Sequence, residues 1–198
     1  MKTGKAALRG VLRRQRRALS GAEHAARSRK AQRAIARLHR FAAGSRIAVY
    51  LPVDREADTA LLIAAARRRR LRIFVPVVAD RRHRVIKFHP LSRRLRRGAY
   101  GIAVPAAPSR PVGARWLDLV VVPLVGVDGA GHRLGMGGGF YDRAFAFRWR
   151  RSAWRGPLMI GLAFDCQRVD SIGAEHWDLR LDALATESGL IGRCRRRR

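Results

Sequence analysis

Residues 117–143, LDLVVVPLVGVDGAGHRLGMGGGFYDR, decide how this chain is read. The first part, 117–127, is an apolar Leu/Val run bounded by turn residues and is the strongest strand in the sequence. The second part packs glycine so densely that neither helix nor strand is favoured. It closes on Phe-Tyr-Asp-Arg, where a helix starting near Phe140 fits. A strand that empties into such a loop suits a parallel sheet, whose ligands sit beyond the carboxyl ends of its strands.

The flanking sequence supports that sheet. Leu8, Val11, Leu12 and Leu19 recur at helical spacing and predict a basic amphipathic helix over 4–18. Ser20-Gly21-Ala22-Glu23 reads as a capping box opening a second helix that runs toward Phe41. RIAVYLP (46–52) is a short strand closed by proline, TALLIAAARRRR (59–70) a helix, LRIFVPVV (71–78) a buried strand and VIKFH (85–89) a short one. GAYGIAVPAAPSRPVG (98–113) reads as a connecting loop. Beyond the glycine segment come a helix, the strand PLMIGLAF (157–164) and a final LDALATESGLI (181–191). This order predicts an α/β fold, a mostly parallel sheet with helices on both faces. There is no internal repeat and no separating linker, so 1–192 is expected to be one domain and 193–198 a basic tail.

At 198 residues the chain can bury a full core, and an apolar content of 47 % is ordinary for a globular protein. No apolar stretch approaches the roughly 20 residues of a spanning helix. The basic start MKTGKAALRGVLRRQRR has no continuous apolar region, so no secretory signal is expected; an Arg-rich, acid-poor start also suits a mitochondrial presequence, but the segment is expected to belong to the fold. Cys166 and Cys194 are too few for a disulfide framework, and none of the six histidines shows a zinc spacing. A reducing, cytoplasmic setting is expected. The net charge is +29, and without the five arginines of the tail RCRRRR it is still +24, so no single arm carries the excess. Arginine filling solvated positions explains this, as does binding of a polyanion.

The glycine loop is not a Walker A loop, because no Lys-Ser or Lys-Thr follows it. A dinucleotide fingerprint would need glycine at Phe140. Gly135, Gly137, Gly138 and Gly139 nevertheless permit positive φ and let several N–H groups converge on phosphate oxygens. Arg133 offers a planar donor fork, and a helix starting near Phe140 adds positive charge. Asp142 beside phosphates is reconciled by a divalent cation such as Mg²⁺. A tight turn with Asp142 capping the helix is the plainer alternative. Lys5 and Arg9 share a helical face, where like charges cost roughly a few tenths of a kcal/mol unless an anion bridges them.

VVPLVGVDGAGHRLGMGGGFYDR resembles the signature of the 5-formyltetrahydrofolate cyclo-ligase family: a strand ending in Pro, then Asp, then R-L-G-x-G-x-G-[FY]-Y-D. The likeness extends to KAALR (5–9), ALS (18–20), YLPVDREADT (50–59), YGIAVP, LAFDCQ and EHWDLRLDALATESGLI. It implies a Rossmann-like three-layer α/β fold of the sugar-phosphate isomerase/CoA-transferase type, with ATP as co-substrate and Mg²⁺. By resemblance Lys5, Ala6, Ala7, Leu8 and Arg9 form the N-terminal nucleotide segment. Arg133, Leu134, Gly135, Met136, Gly137, Gly138, Gly139, Phe140 and Tyr141 wrap the ATP phosphates, with Lys5, Arg9 and Arg133 stabilising charge. Residues 136–140 also line the folate pocket with Glu56, which holds the pterin edge, and Tyr100. Asp142 and Asp178 match the metal-binding aspartates.

Gly138 stands where some members carry lysine, and Gly173 where a proline is common. Phe140 replaces a common tyrosine and so cannot transfer a proton.

The implied reaction converts 5-formyltetrahydrofolate and ATP to 5,10-methenyltetrahydrofolate, ADP and phosphate, in a protein expected to be monomeric and to have no membrane partner. Two other classes are weighed: a basic nucleic-acid-binding protein, for which no recognition motif is present, and an ATP-independent sugar-phosphate isomerase of similar fold.

Overall fold

The computed structural model describes residues 4–107, 110–150 and 156–192. The expected basic tail, 193–198, lies outside them. In chain order the first half holds α1 (Lys5–Ala18), α2 (Gly21–Ala36), β1 (Arg46–Ala48), α3 (Ala60–Arg68), β2 (Arg72–Asp80), β3 (Val85–Pro90), β4 (Leu95–Arg97) and β5 (Ala103–Pro105). The second half holds β6 (Leu119–Val122), β7 (Gly126–Asp128), β8 (Arg133–Leu134), α4 (Phe140–Ala144), α5 (Phe147–Arg150), β9 (Leu158–Leu162), β10 (Arg168–Val169), β11 (Ala183–Thr186) and β12 (Gly189–Ile191).

A seven-stranded sheet runs in the order β12-β11-β9-β6-β1-β2-β3. Its inner pairings are parallel, and only the edge pairs β11/β12 and β2/β3 are antiparallel. Alternation along β6 explains why both faces are covered. Leu119 and Val121 join Ala31 and Ile35 of α2 and Leu62 and Ala66 of α3. Val120 and Val122 face the other way, toward Phe145 and Phe147 beside α4 and α5. β-branched residues suit a strand buried on both sides. The expected three-layer, mostly parallel α/β architecture is therefore what the chain adopts.

Local boundaries differ from the sequence expectation in four places. The run 117–127 is two strands, because the chain leaves the large sheet at Pro123, which has no N–H to donate. β7 then pairs with β8 and β10 in a separate three-stranded sheet. α2 ends at Ala36, short of Phe41. Continued as helix, Phe41 would point about 240° away from Ile35. The turns after Ala36 instead return it to the cluster that Ile35 occupies. The loop 98–113 contains β5, which forms a hairpin with β4. The helix after the glycine segment is only five residues long, so its dipole is small. The capping box at α2 forms as expected, with Glu23 N–H donating to Ser20 Oγ at 3.2 Å and Ser20 N–H to Glu23 Oε2 at 2.9 Å.

Strand β1 leads through α3 to β2 on one side, whereas β6 leads to β9 on the other. The order therefore reverses between β1 and β6; residues 49–59 leave the carboxyl end of β1, and the chain leaving β6 runs through β7 and β8 into the glycine loop.

Candidate functional site

The glycine loop leaves β8 at Leu134 and enters α4 at Phe140. Gly137 (φ 93°) and Gly139 (φ 65°) take left-handed conformations that side chains disfavour. Gly135 and Gly138, expected to use the same freedom, do not. The main-chain N–H groups of residues 135–141 donate no hydrogen bond among the described residues. Met136 and Gly137 are exposed, and Phe140 and Tyr141 open α4, whose first amides have no intrahelical partner, so the loop presents its N–H groups to solvent or to a ligand.

Helix α1 closes one side of the loop. Arg9 Nε donates to Gly135 O at 2.8 Å, and Lys5 Nζ reaches Asp178 Oδ2 at 3.4 Å. Ala6 and Ala7 are exposed, while Leu8 turns to the apolar cluster of Leu12, Val125, Leu134 and Ile172. Leu134 is thus a core side chain, and Met136 is an exposed one.

The two aspartates come together through tertiary structure. Asp142 Oδ1 accepts from Arg133 Nη1 and from the Leu179 N–H, both at 2.8 Å, which sets it beside the segment carrying Asp178. Asp178 Oδ2 also accepts from the Glu175 N–H at 2.9 Å. Burial pushes the Asp142 carboxyl up, but the Arg133 charge and the hydrogen bonds from Arg133 and Leu179 outweigh it and hold it below the usual range. In each aspartate these contacts fall on one oxygen. The described residues contain no cluster of three or more His, Cys, Asp or Glu side chains able to cage a metal. Two hard carboxylates beside open amides fit Mg²⁺, which takes one or two carboxylates and completes its shell with water and phosphate.

Arg133, expected as a donor fork toward phosphate, is held beside Asp142. It is only 8 % exposed, bonds Asp142, and sits with Cζ 5.9 Å from the Tyr141 ring centroid. Only Nη1 is used in this pair among the described residues.

Glu56 lies across the switch point, 9 % exposed, with Oε2 accepting from the Val53 N–H at 3.1 Å. Burial pushes its carboxyl above the usual range, against the Val53 hydrogen bond and the Arg16 charge. Burial, reinforced by the Glu56 charge, likewise keeps the Tyr141 phenol protonated, with Arg133 opposing. The turn before Glu56 is tight, with Asp54 (φ 49°) and Arg55 (φ 57°) both left-handed. It is held by arginines of α1: Arg13 Nε and Arg16 Nη2 reach Asp54 Oδ2 at 2.9 and 3.1 Å, and Arg17 bonds Oδ1. Arg16 is 1 % exposed and also donates to Asp54 O at 2.8 Å and Leu124 O at 3.4 Å. It was not among the expected site residues, although the spacing Leu8, Leu12, Arg16 placed an arginine on the apolar stripe.

Tyr100, 58 % exposed, caps the far side and meets Phe140 edge-on with ring centroids 6.1 Å apart. A cavity of about 760 Å³ opens behind Asp178, toward His132 and Arg148. Its arginines Arg148, Arg180 and Arg168 are already paired with Asp182, Ala130 O and Asp165, and the glycine loop is not in its wall.

The fold is that of an α/β enzyme, and its candidate ligand site is the carboxyl end of the parallel sheet, where a buried glutamate and an open glycine loop lie. The model of the 5-formyltetrahydrofolate cyclo-ligase family matches residues 1–187. The 5-formyltetrahydrofolate cyclo-ligase of Escherichia coli K12 is 36 % identical over 146 residues, 72 % of this chain and 78 % of that one. The Haemophilus influenzae enzyme of the same name is 34 % identical over 142 residues, covering 68 % and 72 %. Among solved structures, a 5,10-methenyltetrahydrofolate synthetase from Aquifex aeolicus superposes with a TM-score of 0.77 at 25 % identity, over 98 % of this chain and 95 % of that one. That from Mycoplasma pneumoniae gives 0.73 at 25 %, over 93 % and 99 %. This chain belongs to the 5-formyltetrahydrofolate cyclo-ligase family.

Proposed function

We propose that this protein converts 5-formyltetrahydrofolate and ATP to 5,10-methenyltetrahydrofolate, ADP and phosphate, at the site between Glu56 and the glycine loop. Family membership supports the reaction. The observation that carries the site is the run of open amides at 135–141 beside Asp142 and Asp178. Neither a nucleic-acid-binding protein nor an ATP-independent isomerase has support from the family assignment.

The formyl oxygen is an amide-type oxygen and leaves poorly. Transfer of the γ-phosphoryl group to it makes an imidate-like phosphate ester; N10 then attacks the formyl carbon, the five-membered ring closes, N10 loses its proton and phosphate leaves with the C–O bond electrons. Such chemistry needs alignment and charge stabilisation and no enzyme nucleophile. The amides of the loop and Arg9 hold the phosphates, and Lys5 adds charge beside Asp178. Mg²⁺, held by Asp142 and Asp178 with the phosphates, would supply further charge neutralisation. Glu56 accepts paired N–H donors of the pterin, and Phe140 and Tyr100 pack its ring system. The abundant arginines draw anionic substrates in. The enzyme works as a cytoplasmic monomer, in which Cys166 remains a free thiol. Among the described residues no helix is long and apolar enough to cross a membrane.

The test is ADP release measured beside formation of the methenyl product, with and without 5-formyltetrahydrofolate. Equal, magnesium-dependent yields of both are expected. ATP hydrolysis indifferent to the folate, or product without ATP, contradicts the reading.

A further inference from the structure

The turn between β2 and β3 supplies a cation to the glycine loop that none of the roles above uses. Asp80 holds this turn from within, accepting from the His83 N–H at 2.8 Å and lying 2.7 Å from His83 Nδ1. Arg143, next to the aspartate of α4, holds it from outside by donating from Nη1 to His83 O at 3.0 Å. The turn is therefore pinned to the helix that follows the glycine loop. Its last residue, Arg84, takes a left-handed φ of 55°, uncommon for a residue with a side chain.

In that conformation Arg84 Nη1 stands 3.6 Å from the point a Cβ on Gly139 would occupy. Arg9 Cζ stands 3.7 Å from the matching point on Gly137. Each left-handed glycine of the loop thus faces a guanidinium brought by a different element. Arg84 makes no hydrogen bond or ion pair among the described residues. A guanidinium turned toward a loop of unpaired N–H donors is repelled until an anion lies between them.

We propose that Arg84 is a further substrate-contacting residue, closing on the phosphate oxygens of the nucleoside triphosphate over Gly137–Gly139. This rests on the reading of the loop as the nucleotide site. Phosphate is favoured over the substrate's carboxylates by chemistry. The glutamyl carboxylates are separated from the formyl-bearing nitrogen by the aminobenzoyl ring, whereas the transferring phosphoryl group must meet the formyl oxygen. The same turn props the aromatic pair, with Arg81 Cζ 4.7 Å from the Tyr100 ring centroid.

The experiment compares the wild-type protein with Arg84→Ala, Arg84→Lys and Arg82→Ala. It measures calorimetric affinity for a non-hydrolysable ATP analogue with magnesium, and KM for mono- and polyglutamyl 5-formyltetrahydrofolate. Alanine keeps the Cβ and its backbone strain, and circular dichroism checks that each variant folds. Arg84→Ala should weaken the analogue by about 10- to 100-fold, the range of a charge-assisted hydrogen bond. Arg84→Lys should recover part of that loss. Arg82 and Arg84 are both exposed, but only Arg84 approaches the loop, so Arg82→Ala, which removes the same charge, should change affinity less than about threefold. The folate KM should stay unchanged. A loss confined to the folate KM and growing with glutamyl number would assign Arg84 to carboxylates and overturn the phosphate contact. Unchanged analogue affinity in Arg84→Ala, with a wild type that binds and turns over, overturns this inference alone. A wild type that binds no analogue sinks the nucleotide reading and this inference with it.

Discussion

At Asp54, three arginines of α1 converge on one carboxylate. At the glycine loop, Arg9 and Arg84 lie against glycines with no carboxylate between them. Both regions draw on the same excess, 43 Lys and Arg against 14 Asp and Glu. With acids so scarce, their placement is informative. Where an acid gathers arginines, the cluster fixes a turn and with it Glu56; where acids are withheld, the positive field is left for a ligand. Asp142 stands at the boundary, paired with Arg133 on one oxygen and next to the open loop.

The largest expected effect falls at that boundary. Asp142→Asn should lower turnover by about 10³-fold or more at saturating magnesium, if it holds the metal that neutralises the transferring group. Because Arg133 would be left buried without its counter-charge, the variant should also lose about 1–3 kcal/mol in a urea melt. Full turnover in Asp142→Asn would place Asp142 with the structural arginine clusters and break the contrast.

Next is the hub of the saturated region. Arg16→Ala should destabilise the fold by about 3 kcal/mol, since it strips a buried guanidinium from Asp54 and Leu124 O. A loss confined to substrate affinity, with an unchanged melt, would mean that this cluster also belongs to the ligand site.

Glu56→Gln should reduce kcat/KM for the folate by about 30- to 100-fold while leaving the ATP KM in place. Its carboxyl titrates above the usual 4.5, chiefly through burial, and in the proposed role it accepts the pterin donors in its ionised form. In the wild type kcat/KM should therefore rise with pH through a point above 4.5, and Glu56→Gln should lack that limb. Stability should respond with opposite signs at the two acids. Ionising Glu56 costs stability as pH climbs from 4.5 through its raised pKa. The Asp142 contribution is full above 3.8 and is lost as pH falls through its lowered pKa. Arg17→Ala should be the mildest change, at most about 1 kcal/mol, because its pair with Asp54 is half exposed.

Much of this was legible in the sequence where the cause is local. The α1 stripe and the capping box of α2 follow from residue spacing, and β6 from its continuous apolar run. The split at Pro123 was visible as a proline within a strand, yet the continuous valines around it masked the change of sheet. Strand β4 was not legible, because Leu95, Arg96 and Arg97 are all exposed and carry no alternation. The approach of Arg84 to Gly139 joins residues 55 positions apart through tertiary structure, which no local pattern encodes. The same holds for Asp142 and the segment bearing Asp178, joined through the Leu179 N–H.

The most direct measurement is a crystal structure of the protein with magnesium and a non-hydrolysable ATP analogue. The account predicts triphosphate oxygens within hydrogen-bond distance of several N–H groups of residues 135–141, with the metal on Asp142. A triphosphate seated elsewhere, with those amides facing only water, would contradict it.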